Sequence, residues 1–256
     1  MTDRPNDLNG AVALITGASS GIGEATAKGL AANGARVAIV ARRGERLEAL
    51  AAEIREGGGE ALPIVADVTE REQAEAAVER AVAELGRLDI VVNNAGVMLL
   101  GPIVDAPVEE WERMVSVNLE GLLFTAHAAL PHLLAAAAGE RGCGDLVNVS
   151  SVAGRQVRAG SGVYNATKHA VGAFSESLRQ EVTARRVRVS LIEPGAVATE
   201  LSSHNRPEIL GAIKDRFAGI ERLEADDIAD AIAYVVTRPA RIAINEVLIR
   251  PTDQEQ

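Results

Sequence analysis

Short apolar runs alternate along this chain with longer segments in which apolar residues recur at helical spacing. The runs are rich in valine and isoleucine and have the composition of buried strands, whereas the longer segments have the period of amphipathic helices. We therefore expect strands at residues 12–16, 36–40, 62–66, 90–93, 146–150, 187–192 and 246–250. Helices are expected at residues 21–33, 45–56, 71–85, 108–137, 164–184 and 225–236, with Gly34 and Gly86 at helix C-caps.

This alternation predicts a parallel sheet with right-handed crossovers, that is, a doubly wound α/β (Rossmann) fold of about seven strands with helices on both faces. A chain of 256 residues fits one such domain, so residues 1–256 are expected to form a single unit. The longest interruption, residues 200–224, follows the sixth strand. Ligands bind at the carboxyl edge of parallel sheets, and we predict that this segment is a substrate lid.

Composition narrows the class of protein. A formal net charge of −10 argues against nucleic-acid binding, and the single cysteine, Cys143, rules out an intrachain disulfide and fits a reducing compartment. The first residues lack the apolar core of a secretory signal. The apolar stretch 122–138 contains His127, Pro131 and His132, so a core or subunit contact is expected rather than a membrane span. These features favour a cytoplasmic location.

A glycine-rich segment, T-G-A-S-S-G-I-G, connects the first strand to the first helix. Gly17 permits a sharp turn, Gly21 permits close approach of a diphosphate, and Gly23 permits the helix to pack against the strand. Backbone amides at the helix N-terminus would face the phosphate charge. The segment therefore predicts a dinucleotide site that includes Ser19, Ser20 and Ile22, although a tight turn without a ligand has the same composition.

The end of the second strand indicates which dinucleotide is preferred. NAD-dependent enzymes usually place an acidic residue there, but this chain has Ala41 followed by Arg42 and Arg43. A guanidinium group can hold a 2′-phosphate with paired hydrogen bonds. The pattern therefore predicts NADPH over NADH; two solvated arginines at a helix start are the alternative.

A tyrosine and a lysine lie four residues apart in Tyr164-Asn-Ala-Thr-Lys168, and so on one face of a helix. A neighbouring ammonium stabilises phenolate, so we expect Lys168 to lower the pKa of Tyr164 toward the range useful for acid–base catalysis. Only two other lysines occur, Lys28 and Lys214, which makes a chance pairing with one of two tyrosines less plausible. The alternative is a surface pair without a chemical role.

The G-x-x-x-G-x-G spacing, Asn93-Asn-Ala-Gly96 and the Tyr-x-x-x-Lys pair together resemble the short-chain dehydrogenase/reductase family over essentially the whole chain. The resemblance implies that Ser151 orients the substrate oxygen and that Asn118 distorts its helix and anchors a proton relay. It also implies a cofactor site that includes Asp67, Val68, Asn94, Ala95, Gly96, Pro194, Gly195, Val197 and Thr199. In the implied reaction NADPH reduces a carbonyl carbon, Tyr164 protonates the oxygen, and Lys168 holds the nicotinamide ribose.

Residues 96–102, 179–183, 192–195 and 249–254 look especially close to the clavulanate aldehyde reductase branch of that family. Three functions remain open. The first is reduction of free small aldehydes or ketones, as in secondary metabolism, and the second is a ketoreductase for carrier-bound acyl chains, whose docking patch could include Arg155, Arg158 and Arg179. The third is a non-catalytic NADPH sensor.

The resemblance also implies a homotetramer formed through helices 108–137 and 164–184. We expect no metal site, because His127 and His132 are five residues apart and do not share a helical face.

Overall fold

The computed structural model describes residues 8–104 and 106–255. Seven parallel strands form one sheet in the order β3-β2-β1-β4-β5-β6-β7. The chain winds outward from β1 to β3 and then crosses to β4, so β1 and β4 form the switch point where a crevice opens. The strands are β1 Val12–Thr16, β2 Arg36–Ala41, β3 Glu60–Val65, β4 Ile90–Asn93, β5 Gly144–Val149, β6 Val187–Pro194 and β7 Glu246–Ile249.

Eight α-helices connect these strands within the described residues: α1 Gly21–Ala32, α2 Gly44–Glu56, α3 Arg71–Leu85, α4 Val108–Val115, α5 Gly121–Ala138, α6 Gly162–Val182, α7 Pro207–Arg216 and α8 Ala225–Val236. Gly34 and Gly86 follow α1 and α3 in the left-handed region, with φ of 93° and 79°, as the sequence predicted. A glycine stops a helix there without the steric cost that a Cβ would incur.

The sheet separates two hydrophobic cores, one on each of its faces. Side chains alternate along β1, so Ala13 and Ile15 pack on one face, whereas Val12 and Leu14 pack on the other. The first core contains apolar residues of α1, α2 and α8, and the second contains residues of α3, α5 and α6. The doubly wound α/β fold predicted from the sequence, with helices on both faces, is confirmed.

The segment predicted as one helix over residues 108–137 contains an irregularity. Between α4 and α5, residues Ser116–Glu120 form a π-helical turn that carries Asn118. Counted as one helix, Val108–Ala138 has 31 residues and meets the length and composition of a membrane span, a test that core helices also pass. Of its most apolar window, 44% is buried inside the protein.

The segment predicted as a lid contains more regular structure than the sequence indicated. Residues Glu200–His204 form a 3-10 turn and Pro207–Arg216 form α7. Pro207 is tolerated at the first turn of α7 because that position has no intrahelical partner for its nitrogen. The segment lies at the carboxyl edge of the sheet, where it forms part of a large cavity.

Candidate active site

A cavity of about 370 Å³ opens at the carboxyl edge of the sheet, beside the switch point between β1 and β4. Every site residue predicted from the sequence lines this cavity except Gly23 and Asn118, which lie behind its wall. The predicted residues that line it are Gly17, Ser19, Ser20, Gly21, Ile22, Arg42, Arg43, Asp67, Val68, Asn94, Ala95, Gly96, Ser151, Tyr164, Lys168, Pro194, Gly195, Val197 and Thr199.

The glycines of the loop after β1 are required by close packing. Gly17 has a φ of 67°, and a Cβ on it would lie 2.8 Å from Ala95 Cα. A Cβ on Gly23 would lie 2.4 Å from the carbonyl oxygen of Gly17, so Gly23 lets α1 approach the loop. Asn94 fixes the same turn, because its Nδ2 donates to the carbonyl oxygen of Thr16 at 3.0 Å. These contacts fix the conformation of the loop where it lines the cavity.

Two arginines lie at the end of the cavity beside β2. The Arg43 guanidinium donates from Nε to Ser19 Oγ at 3.0 Å and from Nη2 to Ser20 Oγ at 2.7 Å. Arg42 lies 3.6 Å from the Asp67 carboxylate and is more than half exposed. This end of the cavity therefore combines two cations with two hydroxyl groups, which is a donor set suited to a phosphate.

Three predicted side chains meet at the other end of the cavity. The buried Tyr164 hydroxyl hydrogen bonds with Ser151, and the Lys168 ammonium lies 5.9 Å from the centre of the Tyr164 ring. Lys168 Nζ donates to the carbonyl oxygen of Val149 at 3.0 Å. The neighbouring Ser150 instead donates to the carbonyl oxygen of Lys168 at 3.0 Å, so Ser151 is the serine placed beside Tyr164.

The acidity of Tyr164 differs from the sequence expectation. Burial raises the pKa of Tyr164 to about 12, and the hydrogen bond from Ser151 offsets only part of that rise. Burial also lowers the pKa of Lys168 to about 8. The lowering of the Tyr164 pKa expected from Lys168 is therefore wrong for the protein alone, because loss of solvent raises this pKa and the opposing contribution comes from Ser151. A protonated phenol is nevertheless the form that a proton donor requires.

Asn118 supports this site from behind. Its Oδ1 accepts from the amide of Val97 at 2.7 Å, and its Nδ2 donates to the Val97 carbonyl oxygen at 2.9 Å and to Thr167 Oγ1 at 3.2 Å. The side chain thereby links the loop after β4 to the turn of α6 that carries Lys168. The π-helical turn is the helix distortion that the family resemblance implied for Asn118.

Two asparagines that sequence reasoning missed also shape the cavity. Asn165 donates from Nδ2 to the carbonyl oxygens of Ala153 and Gln156, each at 2.7 Å, and so fixes the loop that follows Ser151. Asn205 in the segment 200–224 accepts from the amide of Leu100 at 2.6 Å. The position of Asn165 beside Tyr164 was a usable signal, whereas nothing near Asn205 indicated its long-range contact.

The described residues contain no cluster of three or more histidine, cysteine or acidic side chains that could hold a metal ion. Cys143 is fully buried, and burial raises the pKa of its thiol. Within the described residues, these observations provide neither a metal site nor an exposed thiol for chemistry in the cavity.

Similarity to known proteins covers nearly the whole chain. Glycine betaine reductase ATRR of Emericella nidulans is 40% identical over 96% of this chain, which spans only 19% of that relative's length. An uncharacterized oxidoreductase of Staphylococcus aureus is 38% identical over 95% of this chain and 98% of its own. The second relative therefore matches this chain over nearly all of its own length.

Solved structures agree with this likeness. The closed form of serine dehydrogenase complexed with NADP+ has a TM-score of 0.87 and 35% identity, covering 96% of both chains. A 3-ketoacyl-(acyl-carrier-protein) reductase from Brucella melitensis complexed with NADH has a TM-score of 0.84 and 32% identity, covering 95% of this chain and 98% of its own.

The family described as short chain dehydrogenase matches residues 11–209, which include the glycine-rich loop, Ser151, Tyr164 and Lys168. The match thus covers both ends of the cavity and most of the sheet. Together with the full-length oxidoreductase relative, it shows that this chain belongs to the short-chain dehydrogenase/reductase family.

Proposed function

We propose that this protein is an NADPH-dependent oxidoreductase that reduces a small aldehyde or ketone to an alcohol. The observation that carries the proposal is the shared cavity: Tyr164, Ser151 and Lys168 lie at one end, and Arg43 with its two serines lies at the other. A dinucleotide is a ligand that extends between a phosphate-binding end and a reactive end.

Residues of this chain would donate the proton to the substrate and replace it afterwards. NADPH, when bound, supplies the hydride equivalent that reduces the carbonyl carbon. Tyr164 Oη would donate its proton to the carbonyl oxygen, and Ser151 Oγ would hold that oxygen by a hydrogen bond. Lys168 would bind the nicotinamide ribose and place positive charge beside the phenol, and Asn118 would support the relay that returns the proton to Tyr164.

The arginine end of the cavity supports NADPH as the cofactor. Several solved neighbours were obtained with NADP or a derivative of it, although one was obtained with NADH. In this chain the position after β2 lacks a carboxylate, and Arg43 is already oriented by Ser19 and Ser20. These groups fit a 2′-phosphate. The adenine would lie against Asp67 and Val68, and the nicotinamide would contact the segment from Pro194 to Thr199.

Removing Arg43 tests the cofactor preference. Arg43→Ala should raise the KM for NADPH by about tenfold or more, because a charge-assisted hydrogen bond contributes about 1.5–3 kcal/mol. Arg42→Ala should have a smaller effect, since Arg42 is more than half exposed and lies beside the Asp67 carboxylate. The KM for NADH should change less than about twofold in both variants, and equal effects on the two cofactors would remove the assignment.

The function itself is tested with a panel of free aldehydes and ketones. The decrease in NADPH absorbance reports turnover, and the same panel is assayed with NADH in parallel. We expect consumption of NADPH by at least one carbonyl class and slower consumption of NADH. NADPH binding without turnover on the whole panel would instead support a non-catalytic sensor. The assembled Ser151, Tyr164 and Lys168 side chains argue against that role, because a sensor does not need them.

The carrier-bound ketoreductase remains the second candidate, and a solved neighbour of that activity supports it. The docking patch considered for it is weakened by ion pairing. Arg155 is held by Glu193 at 2.7 Å, and Arg179 is held by Glu176 at 2.6 Å. Those two guanidinium groups are therefore already paired with carboxylates. Activity on carrier-bound ketones without activity on free ketones would favour this candidate.

We also propose that the substrate is of the kind reduced by the clavulanate aldehyde reductase branch, an aldehyde of secondary metabolism. The segment 200–224 would close over such a substrate as a lid, since Leu201, Ser202 and Ile213 line the cavity. The support is the likeness of residues 96–102 and 249–254 to that branch. No closer indication of the substrate lies in the lid sequence.

For assembly we propose a cytoplasmic homotetramer that uses α5 and α6. One flank of α5, beside its buried face, carries Leu123, Leu130 and Leu134, which are only partly covered within one chain. Light scattering at micromolar concentration should give four times the chain mass of 26.8 kDa, and a monomer would contradict the proposal.

A further inference from the structure

A glutamate accepts hydrogen bonds from two arginines at the end of the cavity where we propose that the 2′-phosphate binds, called the phosphate end below. Glu200, the first residue of the segment 200–224, accepts from Arg43 Nη1 at 3.0 Å. It also accepts from Arg46 Nη1 at 2.9 and 3.0 Å. With Ser19 and Ser20 on its other nitrogens, Arg43 has every guanidinium nitrogen engaged in the protein alone.

The carboxylate of Glu200 has the chemistry of the ligand expected at this position. A carboxylate and a phosphate both present two oxygens to a guanidinium fork, and both are stabilised by a second arginine. Hydrogen bonds from Arg46 and Arg43 lower the pKa of Glu200 to about 2, so the group is an anion at any neutral pH. An anion therefore already occupies Nη1 of Arg43, one of the donors that a 2′-phosphate at this end of the cavity could use.

We infer that Glu200 is an internal competitor of the cofactor 2′-phosphate for Arg43 and Arg46. The inference rests on the proposed function, in which Arg43 binds that phosphate. A phosphate carrying nearly two negative charges would be repelled by the Glu200 carboxylate if both bound the same guanidinium group, so we expect Glu200 to move away from Arg43 when NADPH binds. Glu200 is thus a specificity residue that weakens binding of 2′-phosphorylated dinucleotides and not of NADH.

The position of Glu200 also connects the two ends of the site. Thr199, whose side chain lines the cavity, caps the 3-10 turn that Glu200 begins, and its Oγ1 accepts from the Leu201 amide at 3.4 Å. Release of Glu200 from Arg43 would free the first turn of the segment 200–224. Occupation of the phosphate end would therefore change the restraint on the segment that we propose as the substrate lid.

The test uses two small probes in place of the whole cofactor. Adenosine 2′,5′-bisphosphate carries the 2′-phosphate, and 5′-AMP lacks it; calorimetric titration gives the dissociation constant of each. Glu200→Gln keeps the size of the side chain and removes its charge. Glu208→Gln is the matched control, because Glu208 lies on α7 and pairs with Arg206 at 2.9 Å rather than with Arg43.

Glu200→Gln should bind adenosine 2′,5′-bisphosphate about threefold to fivefold tighter than the unaltered protein, the modest gain expected of half-exposed charges. Binding of 5′-AMP should not change, and Glu208→Gln should match the unaltered protein with both probes. Unchanged or weaker binding of the bisphosphate by Glu200→Gln would overturn the inference; weaker binding would mean that Glu200 orients Arg43.

A third variant separates failure of the inference from failure of the proposed cofactor site. If Arg43→Ala weakens binding of the bisphosphate while Glu200→Gln leaves it unchanged, the cofactor site stands and only the competition is wrong. If Arg43→Ala also binds the bisphosphate like the unaltered protein, the 2′-phosphate is not held at Arg43 and both proposals fail. Thermal unfolding of each variant checks that the fold is intact.

Discussion

Replacement of Tyr164 by phenylalanine is expected to lower turnover of a carbonyl substrate by about 10²- to 10⁴-fold, the usual contribution of a positioned acid. The phenol is the buried hydroxyl beside Ser151, and burial keeps its pKa at about 12, so at neutral pH it is protonated and ready to donate. Phenylalanine fills the same volume without that proton. NADPH affinity, measured by quenching of protein or cofactor fluorescence, should stay within a factor of about three.

The other tyrosine supplies the control for this substitution. Tyr234 lies on α8 and is 55% exposed, so Tyr234→Phe removes the same hydroxyl from a position outside the cavity. Its turnover and NADPH affinity should equal those of the unaltered enzyme. Turnover of Tyr164→Phe within tenfold of the unaltered enzyme would show that another group or solvent protonates the substrate, and the proposed mechanism would fail.

Much of the fold could be predicted because buried parallel strands are short and apolar throughout. Val12–Thr16 and Ile90–Asn93 have the predicted bounds, since each is a continuous apolar run that ends in one polar residue. The start of β5 was missed because Asp145 does not have strand composition. That carboxylate is buried, with Arg188 at 2.6 Å and Arg141 at 2.5 Å. Such pairing depends on distant arginines and cannot be recognised from a local pattern.

The site could be predicted where its residues lie in short, regularly spaced segments. The loop from Gly17 to Gly23 and the pair Tyr164 and Lys168 are of this kind, and the structure brings them to one cavity, with Gly23 behind its wall. Glu200 was not predicted as a partner of Arg43, because 157 residues separate the two along the chain. The direction of the Tyr164 pKa shift was missed for a related reason: spacing on a helix gives proximity to Lys168, whereas burial depends on the whole tertiary fold.

The buried ammonium of Lys168 serves the proposed reaction but lowers the stability of the fold. Its ammonium is buried, and burial lowers its pKa from 10.5 to about 8. A lysine that is harder to protonate in the folded state than in the unfolded state destabilises the fold at pH values below about 8. Between pH 8 and 10.5 the unfolded chain binds more protons than the folded one at this position. The penalty therefore disappears as pH rises through that range.

Lys168→Met should consequently lower turnover by about 100-fold or more while raising the stability of the cofactor-free protein. The pKa shift corresponds to roughly 3 kcal/mol, from which loss of the hydrogen bond to Val149 subtracts part, so Tm at pH 7 should rise by about 3–6 °C. Calorimetric unfolding at several pH values gives the measurement. The gap between the two proteins should narrow from pH 8 to pH 10.5, because only the unaltered protein gains stability there.

Lys28→Met is the control for removing an ammonium group from a surface position. Lys28 pairs with Glu24 and Glu53, each at 2.9 Å, so its loss should leave Tm unchanged or slightly lower, with full activity. A fall in the Tm of Lys168→Met by several degrees would show that the buried ammonium stabilises the fold. The interpretation of Lys168 as a charge held in place for chemistry at a cost in stability would then be wrong.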